Sequence, residues 1–112
     1  MRARANYRSR IFDRHHFDLR IKLVTHSNGR TNIIQGRSRD LSFSGMGVTL
    51  VRNVASGTPC LLILKFPKVD SEVQLPAVVT HGHGSRFGLQ FHRLSGEQRL
   101  LIQKICKALP PA

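Results

Sequence analysis

Eight consecutive residues, His16 to Leu23, alternate polar and apolar without a break. Phe17, Leu19, Ile21 and Leu23 fall on one side, and His16, Asp18, Arg20 and Lys22 on the other. A period of two is the signature of a half-buried β-strand, and it excludes a helix here. The pattern then repeats in short pieces. Asn28-Gly29 is the pair favoured in two-residue hairpins. It turns the chain into a second strand, Thr31 to Arg39. Asp40 to Gly45 interrupts the pattern, and Met46 to Val51 reads as a third strand with Met46, Val48 and Leu50 on one face.

After a turn at Asn53 to Pro59, Cys60 to Phe66 is almost wholly apolar, as expected of a strand covered on both sides. Pro67 to Ser71 turns the chain again. Glu72 to His83 forms a long fifth strand whose Pro76 suggests an edge or a bulge. Phe87 to His92 forms a sixth.

The period then changes. Ser95 and Gln98 make a capping box, with Leu101, Ile105 and Ala108 or Leu109 on one helical face and Pro110-Pro111 as the stop. Six short strands and one helix in 112 residues imply one mainly β domain, a six-stranded antiparallel barrel with a C-terminal α-helix. Residues 1–15, with five arginines and no apolar period, read as a flexible Arg-rich arm, and residues 16–109 as the barrel and helix.

Charge narrows the partners. Lys and Arg number 18 against 6 acids, a formal charge of +12. Ten of those 18 cations, but only two of the 6 acids, precede Asp40. A basic field concentrated at one end favours an anionic partner: a nucleotide, a nucleic acid or an anionic lipid. Cys60 and Cys106 are isolated, with no CxxC, so a reducing cytoplasm is the expected compartment. No run approaches the roughly 18 apolar residues of a membrane span. Six histidines are present, but no carboxylate or cysteine completes a ligand set, so neither metal nor cofactor is expected. Ser42 and Ser44 lack a GxSxG context and the acids form no spaced pair, so an enzyme is not expected.

Two segments carry chemistry. Arg10-Ile11-Phe12-Asp13-Arg14 is an RxxxR just before the first strand, and Asp40-Leu41-Ser42-Phe43-Ser44-Gly45 is a DxSxxG between the second and third. Paired guanidiniums match phosphate oxygens and the O6/N7 edge of guanine. A carboxylate such as Asp40 accepts from guanine N1–H and N2–H₂. Ser42 supplies a compact hydroxyl, and Gly45 permits close approach of backbone to ligand. Each motif alone also has a plain reading, as a solvated charged arm or a capped turn.

Together these residues resemble the PilZ domain family. RIFDRHHFDLRIKL, from Arg10, is similar to its N-terminal motif running into the first strand; DLSFSGMGV, from Asp40, is similar to its second motif. FGLQFHRLS, from Phe87, is similar to its last strand and the entry to its helix. The resemblance spans about residues 8–109. It implies a stand-alone PilZ-type barrel that binds the bacterial second messenger cyclic di-GMP. In that pattern Arg10 and Arg14 hold phosphates and guanine, and Arg8 joins from the arm. Asp40, Ser42 and Gly45 line the barrel side, and His81 stands where some relatives carry a base-contacting residue. Ordering of the arm on the ligand is expected to relay the signal to an unidentified effector protein, in motility, biofilm or chemosensory machinery. A nucleic-acid-binding barrel is the alternative, but nucleic acid is not expected as the partner. Phe17, Phe66, Phe87 and Phe91 sit on apolar faces as core, not as the stacking platforms that single-strand binders display.

Overall fold

The structure is a computed structural model that describes residues 14–110. Among the described residues seven strands and one helix follow in order: β1 (His15–His16), β2 (Arg20–Ser27), β3 (Arg30–Leu41), β4 (Gly45–Leu50), β5 (Pro59–Leu64), β6 (Val73–His83), β7 (Arg86–Phe91) and α1 (Gly96–Ala108). All pairings are antiparallel. The order β3-β2-β5-β6-β7-β4 closes on itself through β3–β4, which makes a six-stranded barrel with β1 added along the end of β3. Closure removes the free strand edges that an open sheet of this size would expose. No helix among the described residues is long and apolar enough to cross a membrane.

The hairpin at Asn28-Gly29 forms as its sequence dictates. Both residues take positive φ, 51° and 73°, and Ser27 pairs with Arg30 across a two-residue turn. Inward residues alternate along β2, where Ile21, Leu23 and Thr25 are buried. They meet Leu62 and Leu64 of β5, Leu75, Ala77 and Val79 of β6, and Phe87 and Leu89 of β7 in one core.

Several boundaries and faces differ from the sequence expectation. The unbroken strand at 16–23 is interrupted, because residues 17–19 leave the ladder while staying beside β3. Phe17 N donates to Arg39 O at 3.2 Å, and the buried Ser38 hydroxyl accepts from Leu19 N at 2.8 Å and donates to Phe17 O. β3 runs on to Leu41, so Asp40 lies inside a strand and not in the break that follows it. β5 is not covered on both sides: Cys60, Leu62 and Leu64 face the core, while Leu61 and Ile63 lie half-buried on the outer wall.

Pro76 lies at neither an edge nor a bulge; it pairs with Leu61 within the closed barrel. Its carbonyl accepts from His92 N at 2.9 Å, just past the end of the β7 ladder. A strand residue points N–H and C=O the same way, so the missing N–H of Pro76 is turned toward His92, past the last residue of β7, and not toward β5. The irregularity of β6 falls later, between Val79 and His81.

The capping box forms: Gln98 N donates to Ser95 Oγ, and Ser95 N to Gln98 Oε1. Such a cap contributes roughly 1 kcal/mol. The helix seats Ile102 and Cys106 in the core, flanked by half-buried Leu101, Ile105 and Leu109, with Ala108 exposed. The buried stripe is therefore one residue on from the expected Leu101–Ile105 stripe. Gln98 Nε2 donates to Gln74 O, and His16 N to Pro110 O, which tie the two ends of α1 to β6 and β1. Of the expected arm, Arg14 and His15 are described, and Arg8 and Arg10 lie outside the described residues.

Candidate ligand cleft

The site begins with a parity conflict in β3. Ser38 and Leu41 are both buried, yet they are three apart, an odd spacing that a regular strand cannot point to one side. The ladder to β4 shifts register between Ser38 and Asp40 to resolve it. Such a bulge turns two neighbouring side chains outward together, here Arg39 and Asp40.

From Asp40 one row of partners runs across four strands. Asp40 pairs with Gly47 of β4, Gly47 with Gly88 of β7, and Gly88 with His81 of β6. The row is thus a carboxylate, two glycines and an imidazole, and by ladder spacing it spans roughly 14 Å. The two glycines bring no side chain of their own to this face, and the Asp40 carboxylate and the His81 ring fold in over them from the two ends of the row. A Cβ on Gly47 would lie 2.9 Å from both Asp40 carboxylate oxygens, and one on Gly88 would overlap the His81 ring.

Asp40 is held from two directions. Gly47 N donates to its Oδ1 at 3.0 Å, and Arg14 Nη1 donates to its Oδ2 at 3.3 Å. The Arg14 side chain is 50% exposed and that of Asp40 16%, so the arginine can leave while the carboxylate stays fixed. Arg39 reaches over β4 and donates through Nε to Val48 O at 3.4 Å.

Ser42 organises the turn that forms the end wall. Its Oγ accepts from Gly45 N at 3.2 Å and from Ser44 N at 3.3 Å, while Ser42 N donates to Gly45 O at 2.9 Å. Gly45 is required on packing grounds, since an added Cβ would collide with the backbone carbonyl of Leu89. Opposite, Thr80 and His81 stand at the irregularity in β6, with Thr80 Oγ1 and His81 Nδ1 3.0 Å apart. Together these groups enclose a cleft of about 120 Å³.

The structure therefore brings Arg14, Asp40, Ser42, Gly45 and His81 to one cleft. Arg8 and Arg10 fall outside the described residues. Sequence reasoning missed Arg39, Gly47 and Gly88. The signal for the glycines was their place inside apolar strands, where a missing side chain marks close approach of something else. No group of three or more His, Cys, Asp or Glu among the described residues could hold a metal ion.

Comparison with known proteins agrees with the fold. The family model for the PilZ domain matches residues 3–108. The crystal structure of the PilZ domain of CeSA, from a cellulose-synthesizing bacterium, superposes with a TM-score of 0.67 at 18% identity, covering 85% of this chain and 95% of that one. No curated protein matches the chain. A barrel closed through β3–β4, a DxSxxG turn at its rim and a family match over nearly the whole length lead to one assignment: the chain belongs to the PilZ domain family.

Proposed function

We propose that this chain is a cyclic di-GMP receptor without catalytic activity, which takes the ligand in the cleft over Gly47 and Gly88 and relays its presence to a partner protein. The observation that carries this reading is the row Asp40, Gly47, Gly88, His81 with Arg14 above its acidic end. A guanine lying flat on the glycine floor turns its N1–H and N2–H₂ edge toward the Asp40 carboxylate. The fixed hydrogen bond from Gly47 N holds that carboxylate in place beforehand. The exposed His81 ring, which lies over Gly88 in the free chain, swings off the glycine to admit the base and packs against it from the other end.

The phosphates call for guanidiniums. Arg14 exchanges its 3.3 Å pairing with Asp40 for a charge-assisted bond to a phosphate oxygen, and Arg39 offers a second fork from the same wall. Arg10 and Arg8 complete the set from the arm. Cations gathered at one cleft repel one another until an anion arrives, so a doubly charged dinucleotide relieves a strain that a neutral ligand would not. Arrival of the ligand orders the arm, and that ordering is the signal read by the partner.

Calorimetric titration with cyclic di-GMP, GMP and a short oligonucleotide at moderate salt tests the reading. Micromolar or tighter binding of the cyclic dinucleotide alone supports it. Preferential, salt-sensitive binding of the oligonucleotide overturns it.

A further inference from the structure

The turn from Ser42 to Gly45 has two sides. Ser42 and Gly45 line the ligand cleft, whereas Phe43 looks into a separate groove of about 320 Å³; Ser44 borders both. The other walls of this groove are Phe91 at the end of β7, Arg93 and Leu94 just after it, and Arg99 and Gln103, one turn apart on α1.

Its surface has an unusual combination of features. Phe43 places an aromatic ring at a turn tip with 45% of its surface exposed, where a free molecule gains nothing from it. Arg93 and Arg99 add two guanidiniums, no acid lines the groove, and neither arginine forms an ion pair among the described residues. Arg93 also adopts φ 58°, a left-handed conformation uncommon outside glycine and asparagine. Apolar surface beside uncompensated cations calls for an occupant of matching character, apolar and acidic.

We propose that this groove docks a segment of a partner protein that sets Asp or Glu side chains against Arg93 and Arg99 and an apolar side chain against Phe43. A nucleic acid would need a longer basic track; two cations around aromatic walls suit a peptide. The groove also sits one hydrogen bond from the ligand cleft. Ser44 N donates to Ser42 Oγ at 3.3 Å on one side, and Ser44 O accepts from Phe91 N at 2.8 Å on the other. A ligand that moves Ser42 therefore moves Phe43 and the groove. This coupling rests on the cyclic di-GMP reading; the docking itself does not.

A random displayed-peptide library panned on the whole chain tests the proposal. Selected peptides, remade synthetically, should carry Asp or Glu next to Leu or Phe. Their affinity should fall on the order of tenfold or more in Phe43→Ser and in the double variant Arg93→Ala/Arg99→Ala. It should be unchanged in Arg30→Ala, an exposed residue that lines neither cleft nor groove, and should shift when cyclic di-GMP is added. Melting curves confirm that the variants fold. Failure to select binders, binders without acidic bias, or binding indifferent to both variants overturns the docking surface. An oligonucleotide or anionic vesicle that loses binding in the same variants, with no peptide doing so, also overturns it. Acidic peptides that bind as expected to a chain with no affinity for cyclic di-GMP leave the surface standing and remove the ligand reading alone.

Discussion

Gly47 lies directly opposite Gly88 in the ladder between β4 and β7. Two glycines face to face weaken a sheet, since neither offers a side chain to pack on the other. Here their missing side chains leave the room that the Asp40 carboxylate and the exposed His81 imidazole occupy, and in the proposed function that room is what a bound base would use.

The glycines of this region separate into two kinds. A Cβ on Gly45 meets the backbone carbonyl of Leu89, which cannot yield, whereas one on Gly47 meets the ends of the Asp40 and Arg39 side chains, which can. Gly45→Ala should therefore lower stability by roughly 1–3 kcal/mol. Gly47→Ala pushes the Asp40 carboxylate off Gly47 N, so it should cost only about 1 kcal/mol, while weakening cyclic di-GMP on the order of tenfold or more. Thermal melts and calorimetry on the two variants check the contrast.

Arg14→Ala removes a half-exposed ion pair, so its cost in stability should stay below about 1 kcal/mol. Asp40→Ala also leaves Gly47 N without its acceptor, and a cost of about 1 kcal/mol is expected. Both should bind cyclic di-GMP far more weakly than the parent while keeping the parent circular-dichroism spectrum. Unchanged affinity in both variants refutes the site assignment.

Ser38 reaches the cleft indirectly. Its buried hydroxyl fastens Phe17 and Leu19, and through them the segment that carries Arg14. Ser38→Ala should cost roughly 1–3 kcal/mol, because it leaves buried backbone groups unsatisfied. Hydrogen exchange should then quicken at Phe17 and Leu19 more than at Leu23 or Leu62 deep in the barrel.

Burial pushes the Cys60 thiol up from its ordinary value of 9.0 to about 12. The folded chain holds this proton more tightly than the unfolded chain, so the contribution to stability is complete below pH 9 and is lost as pH rises toward 12. Denaturation midpoints of Cys60→Ala, relative to the parent at each pH, should show that loss only on the alkaline side. At pH 8 the folded parent should leave Cys60 unmodified by a thiol reagent that labels it in denaturant.

Much of this architecture is legible in the sequence because the strands alternate cleanly. Ile21 and Leu23 declare the core face of β2, and Asn28-Gly29 declares its turn. The bulge in β3 was also written there, since Ile34 and Leu41 are both core residues seven apart, and an odd separation cannot be met without one extra residue. Reading Asp40 as the start of a loop hid that conflict, and with it the outward pair Arg39–Asp40. The helix face was harder to read. Leu101–Ile105 and Ile102–Cys106 are adjacent stripes, and the choice between them depends on how α1 meets the barrel, which periodicity does not encode. Gly47 and Gly88 become a floor only once four strands lie side by side.

Amide NMR of the isotopically labelled chain during titration with cyclic di-GMP tests the central claim most directly. The account expects the Gly47 and Gly88 resonances to move and to saturate with the ligand, together with Asp40 and His81, while hairpin residues Asn28 and Gly29 stay still. A saturable interaction that leaves Gly47 and Gly88 unmoved would place the ligand elsewhere on the molecule and contradict it.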